Sequence, residues 1–271
     1  LNVNLNQLEV MRQPGVAIEL LNFEVDPDGG YRRINGFTLF GGGSSVRPNS
    51  SNRILGMFVY ADGVIVCSGT GIFFSQDGTS YLQINKASVA GSGDNFSTFS
   101  GRSNDARTSQ GQCSFALFEG TSDYGEVLIC DGANKPFFFK MTGTGALADR
   151  TFFAGEITVD GTTAPTVGVV HENHFVVGGA PTAKNKIFFS ATLDPDSFSG
   201  SGSGSIQLTD SIVGLASFRS DLIIFCKNSI FKLINISDSS SIAVVPITKN
   251  VGCLDGQSIQ EIGGDLLFLS P

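Results

Sequence analysis

Apolar residues along this chain come in short bursts separated by polar turns, and the bursts repeat. Five segments, 54–75, 113–141, 167–190, 212–233 and 258–270, share one grammar: an apolar strand, a polar turn, a second apolar strand and often a third after another turn. Aligned on their second strands at Val64, Val127, Phe175, Leu222 and Leu266, they are spaced by 63, 48, 47 and 44 residues. A period near 45 is what four strands of five or six residues plus their turns require, roughly 40–50 residues, the length of one β-propeller blade. The predicted fold is therefore all-β, a β-propeller-like array of four-stranded antiparallel blades, incomplete or truncated within these residues. Residues 1–45 read as an N-terminal strand and turn segment that joins a ring or closes the propeller. Residues 46–271 read as blades, with approximate repeats 46–112, 113–160, 161–205, 206–250 and a partial one at 251–271. The same strand and turn signals also permit a β-sandwich or a pair of them.

Several strands (VIVC, LIIFC, FVV) are apolar at nearly every position, as expected where neighbouring sheets cover both faces. Asp62-Gly63, Asp131-Gly132 and Gly263-Gly264-Asp265 supply turn residues tolerant of positive φ between apolar runs. The stretch 90–112 reads as an extended surface loop and the SGSGSGS tract at 199–205 as a loop tip. Helical periodicity is nearly absent, with one short turn expected in the first 20 residues.

Composition sharpens this picture. With 34 Gly among 271 residues a helical bundle is excluded, because Gly in a helix interior costs about 1 kcal/mol relative to Ala. Twenty-three Phe supply a real core, each worth roughly 1.5–3 kcal/mol when fully buried. The longest apolar runs, such as 222–226, fall far short of the ~20 residues that span a bilayer. The net charge of −8 argues against ordinary nucleic-acid binding, which rests on Lys and Arg displacing counterions from phosphates. Cys67, Cys113, Cys130, Cys226 and Cys253 are odd in number and widely spaced, and read as buried free thiols. A chain that opens on Leu1 and stops at Pro271 in a strand-like run reads as incompletely represented.

Candidate chemistry is sparse. The two histidines stand in His171-Glu172-Asn173-His174, where a zincin would need its second His one position later, at Phe175. They read as exposed polar residues flanking a hairpin turn, without a metal. Asp26-Pro27-Asp28-Gly29-Gly30 opens like a calcium loop but lacks the later ligands, and reads as a tight turn. No GxSxG elbow and no phosphate-cradling Gly-rich loop is present. The stretch 73–81 (FFSQDGTSY) partly resembles the Asp-box turn of sialidase-type propellers, a structural turn even in enzymes. That resemblance sustains one alternative: a sialidase-like or carbohydrate-binding β-propeller, which as an enzyme would need two converging carboxylates.

The opening 13–26 (QPGVAIELLNFEVD) with 30–37 (GYRRINGF) resembles the N-terminal stretch of the tail nozzle proteins of short-tailed bacteriophages, also called tail tubular protein B or tail hub. So do 187–190 (IFFS) followed by 193–198 (LDPDSF), and the series 212–215 (IVGL), 221–225 (DLIIF), 229–233 (SIFKL), 251–253 (VGC) and 258–259 (SI). Two departures are that family members are usually much longer and that Phe stands before Ser190 where Trp is common. The resemblance implies a non-enzymatic virion tail protein without cofactor, part of a homo-oligomeric ring, typically a hexamer. Adaptor and tail fibre proteins would be its partners, and genomic DNA would pass through the lumen without specific binding. An acidic wall would repel phosphates within a Debye length of about 8–10 Å. Arg32 and Arg33, the one adjacent basic pair, would alternate faces on a strand and place one guanidinium at a subunit interface.

Overall fold

In the computed structural model the described residues are 53–84 and 111–271 except 121, 146–148, 162 and 239, together with Phe40, Pro48 and the backbone at 2–3, 16–17, 23–25, 31–33 and 96–100. The chain divides into two compact units, 1–43 and 44–271. In the first, β1 (Asn2–Val3) runs parallel to β2 (Val16–Ala17), and β3 (Phe23–Val25) forms an antiparallel hairpin with β4 (Tyr31–Arg33).

The second unit is a propeller-like array of antiparallel sheets. The first sheet contains β5 (Ile54–Tyr60), β6 (Gly63–Ser68), β7 (Gly71–Ser75) and β8 (Leu82–Gln83) in sequence order. In the second sheet, β9 (Phe96–Ser100) lies parallel along β13 (Thr151–Glu156), after β10 (Ser114–Phe118), β11 (Glu126–Cys130) and β12 (Phe137–Thr142). The third is β14 (Val167–His171), β15 (His174–Gly178), β16 (Lys186–Phe189) and β17 (Gly204–Gln207). The fourth is β18 (Ile212–Phe218), β19 (Asp221–Cys226), β20 (Ile230–Ile234) and β21 (Ala243–Thr248). A last hairpin pairs β22 (Gln260–Ile262) with β23 (Asp265–Leu267) after a 3-10 turn at Gly256–Ser258.

Consecutive sheets stack face to face, and their first strands β10, β14 and β18 touch in series. Every position of β11 and β15 is buried, because the second and third sheets each have a neighbour on either side, and nearly every position of β6 and β19 is buried as well. The core is accordingly layered. Tyr60, Phe74, Phe137, Phe139 and Phe152 fill the space between the first two sheets. Phe118, Phe138, Phe175 and Phe188 fill the next, and Val176, Leu222, Ile224 and Leu233 the third. All five cysteines are buried.

Three expectations need correction. The 90–112 stretch is not all loop: Phe96–Ser100 carries two Phe and a β-branched Thr, and its backbone extends the second sheet to five strands on the open edge of β13. The 199–205 tract is a loop only at its start, because Gly204 and Ser205 pair with Phe189 and Phe188. A Cβ at Gly204 would lie 2.6 Å from the Phe189 ring, so the glycine lets strand and ring meet. The β5–β6 turn is Ala61-Asp62, with the positive φ on Ala61 (52°), while Gly63 is already in strand against the Ser75 carbonyl. The helical turn expected before residue 20 and the Asp26–Gly30 run lie outside the described residues.

Candidate functional site

Buried polar side chains occur where one sheet meets the next. Between the first and second sheets, Tyr60 Oη donates to the Gly125 carbonyl (2.7 Å) and accepts from the Met141 amide (3.1 Å). Burial pushes this phenol up to about 12. Beside it, Arg150 makes a bidentate pair with Asp62 (2.6 and 2.7 Å), donates to the Gly145 carbonyl and stacks on the Tyr124 ring at 5.2 Å. The guanidinium and a bond from Gln76 hold the Asp62 carboxyl at about 2. Arg150 is only 4% exposed although Asp62 is 45% exposed, so the arginine is the buried half of the clamp.

Between the second and third sheets, Glu126 stands at the first position of an otherwise apolar strand, its side chain fully buried. Its Oε2 receives Lys140 Nζ at 2.8 Å, and that ammonium also lies 5.3 Å from the centre of the Phe138 ring. Glu126 Oε1 and Asp196 Oδ1 are both buried without a donor. Asp196 comes from the β16–β17 connection. Burial first, and then the adjoining Glu126, push its carboxyl up to about 8.

Between the third and fourth sheets sit the two histidines. Glu172 and Asn173 carry φ of 46° and 62°, the two left-handed positions of a type I′ hairpin turn, with His171 and His174 paired across it. They flank the turn as expected but are buried, not exposed, at 4% and 0%. His171 Nδ1 meets Ser217 Oγ at 2.8 Å; His174 Nδ1 meets the Ser190 carbonyl at 2.6 Å, and its Nε2 faces the hydroxyls of Thr192 and Ser237. Burial lowers the His171 pKa below the ordinary value of 6.5. Because a carbonyl only accepts, His174 Nδ1 is the donor to Ser190. Among the described residues no cluster of three His, Cys, Asp or Glu could hold a metal ion.

The Asp-box-like loop is an Asx turn: Asp77 accepts from the Thr79 and Ser80 amides and the Thr79 hydroxyl, which lowers its pKa to about 2. It shapes the β7–β8 connection and converges with no second carboxylate in its hydrogen bonds. Arg32 and Arg33 lie on β4 opposite Glu24 and Phe23; their side chains are outside the described residues.

One concave surface gathers residues from four sheets. A cleft of about 500 Å³ opens where the ends of the first strands meet, lined by Gln112, Asp131, Thr166, Val213, Asp255 and Gln257 among others. Its floor depends on close backbone approach: a Cβ at Gly111 would lie 2.4 Å from the Asp131 carbonyl, and one at Gly256 2.5 Å from that of Val213. Asp131 is committed to the loop, accepting the Ala133 and Asn134 amides and the Asn134 side chain. Asp255 accepts the Gln257 amide. The exposed rim is Gln112, Asp255 and Gln257, two carboxamides and a carboxylate able to exchange hydrogen bonds with a hydroxyl-rich ligand. Sequence reading missed this cleft, the Arg150–Asp62 clamp and the Glu126–Asp196 pair. For the last, a signal existed: a lone Glu opening EVLIC and a lone Lys in FFFKMT, charges in strands otherwise fit for burial.

No helix of the described residues is long and apolar enough to cross a membrane. No protein-family model and no curated protein sequence matches the chain. Among solved structures it is similar to a chain of the cryo-EM structure of RAG in complex with one melted RSS and one unmelted RSS. The TM-score is 0.48 and the identity 11%, over 80% of this chain and 72% of that chain. A likeness of that size carries no functional argument.

Proposed function

We propose that the chain is a structural component of a phage tail, a nozzle or tail tube subunit. Copies of it would form a ring-shaped conduit for DNA ejection, in contact with adaptor and fibre proteins. The observation that carries this reading is how the sequence segments resembling tail nozzle proteins are used. The 212–215, 221–225 and 229–233 segments lie in the first three strands of the fourth sheet, β18, β19 and β20, and the 251–253 and 258–259 segments pack back on them through Cys253 and Ile259. This part of the resemblance thus runs through one contiguous piece of the array. A second support is that both terminal sheets keep apolar side chains in solvent, Ile54, Met57 and Val59 on β5 and Ile262, Leu267 and Leu269 at the other end, as parts of a larger assembly do. The net charge of −8 suits a wall past which DNA slides. Mass photometry and cryo-electron microscopy of the protein test the reading: a ring of copies is expected, and a monomer that hydrolyses a glycoside would overturn it. Arg32→Glu with Arg33→Glu should impair ring assembly if β4 lies at the subunit interface.

The cleft supports a second reading, a carbohydrate-binding propeller holding a sugar between Gln112, Asp255 and Gln257. Glycan-array binding that is lost in Gln112→Ala and Gln257→Ala would favour it over the conduit.

A further inference from the structure

The 193–198 segment (LDPDSF), one of the stretches that resemble tail nozzle proteins, folds into a closely held loop. Leu193 takes a φ of 61° and donates its amide to the Asn173 carbonyl (2.9 Å). The Ala191 amide donates to the Ser197 carbonyl at 2.7 Å, closing the loop, and Pro195 is buried. Phe198 then packs edge-on against Phe175, 6.1 Å between centres, in the core between the second and third sheets. This folding carries the Asp196 carboxyl to Glu126, across the join between sheets.

The charges at that join do not balance. Two carboxyls, Glu126 from β11 and Asp196 from the loop, meet one ammonium, Lys140 from β12, which is bonded to Glu126 Oε2. The other groups facing the pair add no positive charge: Asp194 from the same loop and the Tyr60 hydroxyl from β5. Two ionised carboxylates, each with one buried oxygen that receives no donor, would leave an uncompensated negative charge, whereas a proton on Asp196 turns the contact into a hydrogen bond. We propose that Asp196 carries a proton that it donates to Glu126, and that this proton latches the 191–200 loop onto the second sheet, making the join tighter in acid than in neutral or alkaline solution. The latch belongs to the stack of sheets and operates whichever ligand or assembly the protein serves.

The sign follows from proton binding. With the loop docked, Asp196 keeps its proton until about pH 8; with the loop released it ionises near the ordinary 3.8. Between those values release frees a proton, so opening becomes about tenfold easier for each pH unit, and above the upper value it levels off. Two measurements on the whole protein test this. In hydrogen exchange corrected for intrinsic rates, amides of 190–198 should lose protection about tenfold per pH unit within that window. The dependence should vanish in Asp196→Asn and in Glu126→Gln, which keep a hydrogen bond without needing the proton. In infrared difference spectra the wild-type protein should show a protonated-carboxyl stretch at pH 7 that titrates with a midpoint near 8 and is missing in both variants. Protection independent of pH in the wild type, a slope retained in Asp196→Asn, or a carboxyl band unchanged in both variants would each overturn the latch.

Discussion

Gly252 offers a demanding test of how the last hairpin is joined to the fourth sheet. A Cβ built there would lie 1.9 Å from the Lys227 carbonyl oxygen, 2.2 Å from its carbon and 2.5 Å from the Asn228 amide nitrogen. These are backbone atoms of the β19–β20 turn and cannot swing aside as a side chain would. To bring the closest contact to 3.0 Å, the lower limit of real Cβ contacts, Gly252→Ala must move the 251–253 segment by at least about 1 Å. The Cys253 amide bond to the Cys226 carbonyl, 2.8 Å long, does not survive that shift, a loss of about 1 kcal/mol. Cys253 also belongs to the cluster with Phe225, Ile259, Leu266 and Phe268, and forcing it apart adds the 1–3 kcal/mol typical of overpacking. The expected cost is therefore about 2–4 kcal/mol, borne by the join between the fourth sheet and the hairpin. Urea unfolding, followed by circular dichroism and by hydrogen exchange of 251–269, measures it. The control is Gly161→Ala, where nothing lies within 4 Å of the new Cβ and only a φ of 58° is strained, for about 1–2 kcal/mol. If Gly252→Ala cost less than the control, or kept the Cys253 amide as protected as in the wild type, the steric reasoning would be refuted.

Other predictions concern the joins between sheets. Arg150→Met should destabilise by about 1–3 kcal/mol in chemical unfolding, because the Gly145 carbonyl and Asp62 lose their charged donors, the partial exposure of Asp62 keeping the figure low. Tyr60→Phe should cost about 1–2 kcal/mol by stripping the Met141 amide and the Gly125 carbonyl of a buried partner. Thermal melts against pH should show two opposed slopes. The raised carboxyl of Asp196 contributes stability that is complete below 3.8 and is lost as pH rises to about 8, at no more than about 1.4 kcal/mol per unit, and Asp196→Asn should remove that slope. Buried His171 resists protonation in the fold but not in the unfolded chain, so stability should also fall as pH drops below 6.5, a slope that His171→Gln should flatten.

The repeat of apolar bursts determined the all-β architecture, because strands buried on both faces must be apolar throughout, and a turn every few residues leaves only hairpins to build with. The five second strands lie where the spacing placed them, at Val64, Val127, Phe175, Leu222 and Leu266. What tertiary structure alone decided is which polar residues meet. His171 and His174 look exposed from their place beside a turn, yet the fourth sheet covers them and supplies Ser217 and Ser237 as partners. Asp62 and Arg150 are 88 residues apart in the chain, and Asp196 reaches Glu126 from a different repeat, so no local pattern announces either contact. Periodicity is a property of one strand and its immediate neighbours, legible in sequence. The pairing of charges across stacked sheets depends on how far each loop reaches, and that is set by the angle and register of packing between sheets that share no local sequence.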